Sequence, residues 1–276
     1  MKSKILVFIF SILASLHTSA ETITFGIVPQ QSAATLVKNW DPILQYLSEQ
    51  VGHNIELRTA KDIPEFEKRV SAGEYDIAYM NPYQYARFHQ DPGYIAFAKQ
   101  KDKKIRGIVV VHKDFPITDI QQLNGKTLAF PSPVAFGAAA LPIFTLAQQN
   151  IHVQPRYVSS HESVYLNVAQ GFFAAGGGVE RTFNNSAPEI RERLRVLWKT
   201  PEYSPHAFAF RSDLNAELAK EVQAAFLAMN DDQRGVELLK NIGFNGISQA
   251  QDSDWDDVRQ LQLTMLNHML KKQMGQ

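Results

Sequence analysis

The sequence predicts an α/β protein of two lobes, joined by a two-strand hinge and separated by a cleft. Three observations carry this. Short β-branched runs alternate with amphipathic helical runs from residue 22 to residue 80. The alternation breaks at a long strand-like run, residues 105–114, and then restarts. A second long alternating run, residues 205–213, returns the chain after the second set. Two α/β units connected twice enclose a cleft, and ligands favour such interfaces and the carboxyl ends of parallel strands.

In order, residues 1–20 read as a signal peptide. Lys2 and Lys4 precede an apolar run, 5–14, and the small residues Thr18, Ser19 and Ala20. The run is shorter than the roughly 20 residues a spanning helix needs. A periplasmic product starting at Glu21 is therefore expected. The chain has no cysteine, so neither a lipid anchor nor a disulfide is expected.

Strands are expected at 22–28, 54–60 and 75–80, with helices at 31–52 and 63–73 between them. Pro42 should kink the first helix or restart it. In the second unit, strands are expected at 126–130, 153–158, 172–179 and 194–200. Helices fall at 135–150 and 162–171, with a helical start at 180–186. Residues 214–272 read as helical, the last helix packing through Trp255, Val258, Leu261, Met265, Leu266 and Met269.

Composition narrows the function. Lys+Arg and Asp+Glu are both 28, and removing two leader lysines leaves 26 against 28. That balance gives no support for nucleic-acid binding. The glycine triplet 176–178 is followed by Val179-Glu180-Arg181, without the lysine of a phosphate-cradling G-x-x-x-x-G-K-[ST] loop. It reads either as close packing or as close approach to a ligand. H-E-x-x-H and G-x-S-x-G are absent, and the eight histidines show no metal-ligand spacing. No catalytic residue, metal or cofactor is expected, and the protein is expected to be a monomer.

The blocks "FGIVPQ", "YDIAYMNPYQYARF", "GKTLAFPSP…LP", "SSHESVYLNVAQG" and "GGGVERT" resemble the PhnD-type family. These are periplasmic substrate-binding proteins of phosphate, phosphite and phosphonate transporters, and the likeness runs over nearly the whole mature chain. It implies a type II periplasmic-binding fold, with lobe I formed by 21–108 and 207–276 and lobe II by 109–206. It also implies capture of a small oxyanion or phosphonate-like ligand for the permease of an ABC transporter. A periplasmic module signalling to a membrane sensor kinase or cyclase is the alternative.

In the family the oxyanion sits at the start of a lobe II helix, a natural anion site. The matching stretch here, 132–137, keeps only Ser132 as a hydroxyl; Ser132, Val134 and Ala135 are expected at the ligand. The family's aromatic contact matches Tyr83, and its histidine and acid match His161 and Glu180. Gln30 ends the first strand and is a further candidate. Where aminophosphonate binders carry an acid on the returning strand, this chain has His206, so affinity for an anion should rise as pH falls from about 8 to about 6. Ser159 and Glu162 have the spacing of a capping box. Arg181 reads either as an anion partner or as a surface pair with Glu180.

Overall fold

The computed structural model describes residues 22–261. The first set of elements is β1 (Ile23–Ile27), α1 (Ala33–Val51), β2 (Ile55–Arg58), α2 (Ile63–Ser71), β3 (Ile77–Met80), α3 (Pro82–Phe88) and β4 (Ile95–Gln100). The second is β5 (Ile105–His112), β6 (Thr127–Phe130), α4 (Leu141–Gln148), β7 (Gln154–Tyr157), α5 (His161–Ala169), β8 (Ala175–Val179), α6 (Glu180–Asn184), α7 (Pro188–Arg191) and β9 (Leu194–Tyr203). The chain then returns through β10 (Ala207–Phe210), α8 (Ala216–Ala228), α9 (Gln233–Asn241), β11 (Ile247–Gln249) and α10 (Asp256–Arg259).

Two sheets result, ordered β11-β4-β10-β3-β1-β2 and β7-β6-β8-β5-β9. In the first, β1 runs parallel to β2 and β3, while β10 lies antiparallel to β3 and β4. In the second, β6 runs parallel to β7 and β8, while β5 lies antiparallel to β8 and β9. The fold is the two-lobed α/β arrangement expected. The chain crosses between sheets through 101–104 and 204–206, which are short connectors rather than the long strands themselves. Lys104 Nζ donates to Ser204 Oγ at 3.3 Å, tying the crossings together. Ser204 N–H donates to Asp257 at 2.8 Å, and Trp255 Nε1 donates to the Pro205 carbonyl at 2.7 Å.

Local chemistry explains the elements. Ser32 caps α1 by accepting the Thr35 N–H, and Gly52 ends it at φ 69°. Leu36, Trp40, Ile43, Leu44 and Leu47 form the buried face, and the helix continues through Pro42. Trp40 joins an aromatic core with Phe25, Tyr79, Phe208, Phe226 and Phe244.

Several sequence expectations change. Between β3 and β5, α3 begins with a reciprocal Asn81–Gln84 capping box and Pro82 in its first turn. β4 follows and pairs on both edges, with β10 and β11. The tail is not uniformly helical, because β11 extends the first sheet. Trp255 and Val258 are buried as expected, while Met265, Leu266 and Met269 lie outside the described residues. The cap of α5 is Ser160, which accepts the Ser163 N–H; Ser159 sits at φ 74° in the left-handed region. Glu162 reaches instead to the backbone N–H of Ser32, 3.3 Å away on the other unit.

Candidate functional site

The glycine triplet is packed by the protein itself. A Cβ on Gly177 would stand 2.0 Å from the Ala138 carbonyl oxygen, and one on Gly178 would stand 2.2 Å from the Tyr165 hydroxyl. β8 is thus pressed between α5 and the π-helical turn Phe136–Ala140 that leads into α4. This close packing sets where both helix starts meet the cleft.

The carboxyl ends of β1, β3, β6 and β8 and the two crossings converge on that cleft. A narrow inner chamber is lined by Gln30, Asn81, Phe136, Gly137, His161 and His206, among others. An adjoining outer chamber, also narrow, is lined by Tyr79, Lys103, Lys104, Arg106, Glu180 and Arg181, among others. Ile105 and His206 line both. Phe136, Gly137 and Ala138 occupy the opening turn of a helix, where backbone N–H groups have no earlier carbonyl of that helix to reach.

The two units touch across the cleft. Arg181 Nη2 donates to Gln30 Oε1 at 2.6 Å. Asn81 Nδ2 donates to the Val134 carbonyl at 3.4 Å, and the His161 N–H donates to the Gln30 carbonyl at 3.2 Å. The conformation is therefore closed.

His161 is 1% exposed. Its Nδ1 lies 3.1 Å from Thr182 Oγ1, which is 2.7 Å from the Tyr165 hydroxyl. Both hydroxyls reach the Val179 carbonyl, at 3.0 and 3.2 Å. Two proton arrangements satisfy this chain. Either Nδ1–H donates to Thr182, or Thr182 donates to Nδ1 and the imidazole proton sits on Nε2. Burial, then the Arg181 charge, pushes the His161 pKa down to about 3.

His206 is 4% exposed and stacks on Tyr79, with centroids 5.1 Å apart at 26°. Its Nε2 is buried without a hydrogen-bond partner among the described residues. Burial first, then Arg181 and His161, holds it well below the ordinary imidazole value. The window of pH 8 to 6, expected for a free imidazole, therefore does not apply to this closed form.

The acid at the cleft is already matched. Glu180 pairs with Lys199 at 2.5 Å, which is the main reason its pKa is lowered. Arg181, the next residue, enters the cleft and lies over the Phe244 ring at 5.7 Å. No carboxylate pairs with it among the described residues. Of the other expected residues, Ser132 is buried and accepts the Val134 N–H at 3.4 Å. Ala135 lines the inner chamber. Val134 is buried and meets Asn81 through its carbonyl. Tyr83 is buried in α3, near Glu67 and Arg87, whereas Tyr79 at the end of β3 lines the outer chamber. Tyr79, Asn81, Phe136, Lys103, Lys104 and Arg106 line the chambers without having been expected there, whereas Arg181, expected either as an anion partner or as a surface pair with Glu180, lines the outer chamber and does not pair with Glu180. Tyr79 and Asn81 carried a positional signal, at the carboxyl end of the parallel strand β3.

Among the described residues no three His, Asp or Glu side chains are grouped to hold a metal, and no helix is long and apolar enough to cross a membrane.

The two lobes and the cleft between them define the fold as that of the type II periplasmic class. A family model described as "ABC transporter, phosphonate, periplasmic substrate-binding protein" matches residues 25–255, and the chain belongs to that family. It is similar to the phosphate-import protein PhnD of Mycolicibacterium smegmatis, 22% identical over 87% of this chain and 84% of that protein. It is also similar to the phosphonates-binding periplasmic protein of Escherichia coli, 23% identical over 92% of this chain and 80% of that protein. In fold it matches PhnD1 from Prochlorococcus marinus, solved in complex with methylphosphonate, with a TM-score of 0.81. The match covers 88% of this chain and 98% of that one at 17% identity.

Proposed function

We propose that this chain captures a small phosphonate- or phosphate-like anion in the closed cleft and presents it to the permease of an ABC importer. One observation carries the reading. The cleft is lined by helix-start N–H groups, His161, His206 and the cations Lys103, Lys104, Arg106 and Arg181, while the one acid lining it, Glu180, is held by Lys199. Preorganised N–H donors and an unpaired guanidinium favour an oxyanion. An anion would also select the His161 tautomer that carries its proton on Nε2.

Mechanistically, the oxyanion would accept hydrogen bonds from the N–H groups of Phe136, Gly137 and Ala138 on one unit. Gln30 and Asn81 on the other unit would close over it. The cross-cleft bonds already present, Arg181 to Gln30 and Asn81 to Val134, stabilise the closed form that the transporter would read. No bond of the ligand is made or broken, so the role is capture and not catalysis. The lobes of this reading are 21–108 with 207–276, and 109–206, moving about the 101–104 and 204–206 crossings.

The test is a thermal-shift screen with phosphate, methylphosphonate and neutral solutes in phosphate-free buffer. A ligand at 100 times its Kd stabilises by about 2.7 kcal/mol. The oxyanions should shift the melt and shrink the radius of gyration in solution scattering. A melt unmoved by every oxyanion would refute the reading. Export is tested by intact mass: the secreted protein should begin at Glu21, and a species keeping residues 1–20 would overturn cleavage after Ala20.

A further inference from the structure

The two chambers differ in charge, and the difference bears on the ligand's second end. The inner chamber holds the helix start and uncharged polar groups. The outer chamber is lined by Lys103, Lys104, Arg106 and Arg181 against one acid, Glu180. Three of these five ions are already matched. Glu180 pairs with Lys199 at 2.5 Å, Arg106 with Glu202 at 2.5 Å, and Lys104 with Asp257 at 3.8 Å. Lys103 has no ion pair among the described residues, and Arg181 is held by the neutral Gln30 amide and the Phe244 ring. The outer chamber therefore carries uncompensated positive charge next to the buried, unpartnered Nε2 of His206, which lines both chambers.

Resting on the anion-capture reading above, we propose that the ligand is a two-headed anion. Its phosphonate head sits in the inner chamber and a carboxylate on a short chain sits against Arg181 in the outer one. A carboxylate accepts two parallel N–H bonds from a guanidinium, whose remaining N–H groups keep the cross-cleft bond to the Gln30 oxygen. His206 Nε2, at the junction, gains a ligand oxygen as its missing partner. An ammonium in the same place would meet Arg181 and Lys103 as like charges, with no free acid to receive it.

Calorimetry on the mature chain in phosphate-free buffer at pH 7.5 separates the cases. Three probes share the head: methylphosphonate, 3-phosphonopropionate with an added carboxylate, and 2-aminoethylphosphonate with an added ammonium. The expected result is that 3-phosphonopropionate binds at least tenfold more tightly than methylphosphonate, with 2-aminoethylphosphonate the weakest. Arg181→Gln should bring 3-phosphonopropionate and methylphosphonate to within threefold of each other, while Arg181→Lys keeps part of the gap. Equal affinity for those two in the wild type, or a lead for the aminophosphonate, overturns the two-headed ligand while leaving anion capture standing. Binding of none of the three, nor of inorganic phosphate, overturns both. The wild-type ranking decides the matter even if the Arg181 variants do not fold.

Discussion

His161 supplies a stability test that reads the burial of the cleft directly. Its pKa is pushed down to about 3 in the folded protein, from an ordinary value of 6.5. A base with a lower pKa folded than unfolded binds fewer protons folded. Its contribution is therefore complete above pH 6.5 and drains as pH falls toward 3. The loss is about 1.4 kcal/mol per pH unit, so about 3 kcal/mol between pH 6.5 and 4.5. Other groups titrate in the same window, so the wild-type curve alone is not decisive; the difference between wild type and His161→Gln is. Glutamine keeps a polar group near Thr182 but takes up no proton. Across that window the stability difference should move toward the variant by about 3 kcal/mol, equivalent to about 6–12 °C of Tm for a chain of this size. Urea denaturation of both proteins at pH 7.5, 6.5, 5.5 and 4.5, in buffers free of phosphate, measures it. A difference that does not change with pH would refute the buried, neutral His161.

Glu67 gives the mirror case: burial raises its pKa to about 7, so stability falls as pH rises from 4.5 to 7, and Glu67→Gln should gain about 3 kcal/mol on the wild type over that range in the same denaturation series. Gly177→Ala would drive a methyl group into the Ala138 carbonyl 2.0 Å away and should cost at least about 2 kcal/mol; an unchanged melting temperature would mean that β8 is not pressed as described. Ser160→Ala should cost about 1 kcal/mol by removing the α5 cap, while Ser159→Gly should be neutral or stabilising, because it relieves a φ of 74°. The reverse order in thermal melts would place the cap at Ser159.

Much of the fold was legible in the sequence because alternating patterns report burial directly. The two α/β sets, the return through β10 and the strand ends that face the cleft follow from that patterning. The elements that the pattern left out, α3 and β4, owe their burial to neighbours distant in sequence. β4 is sandwiched between β10 and β11, and neither partner adjoins it in sequence. The shift of the α5 cap from Ser159 to Ser160 follows from a left-handed backbone at Ser159, which serine seldom adopts and which residue type does not announce.

The sequence alone determined the class of the protein, through the order of its elements and motif blocks, and it brought the "VERT" turn to the cleft. Only the tertiary structure decided which residue of that turn keeps an unmatched charge in the cleft. Successive residues on a helix point about 100° apart. Glu180 and Arg181 in the first turn of α6 both line the cleft but therefore reach different partners. Lys199 on β9 neutralises Glu180 at 2.5 Å, while the uncharged Gln30 from the other unit receives Arg181 at 2.6 Å and leaves its charge unmatched. Both partners are distant in sequence, so the charge of the cleft is set by packing between elements and not by the local motif.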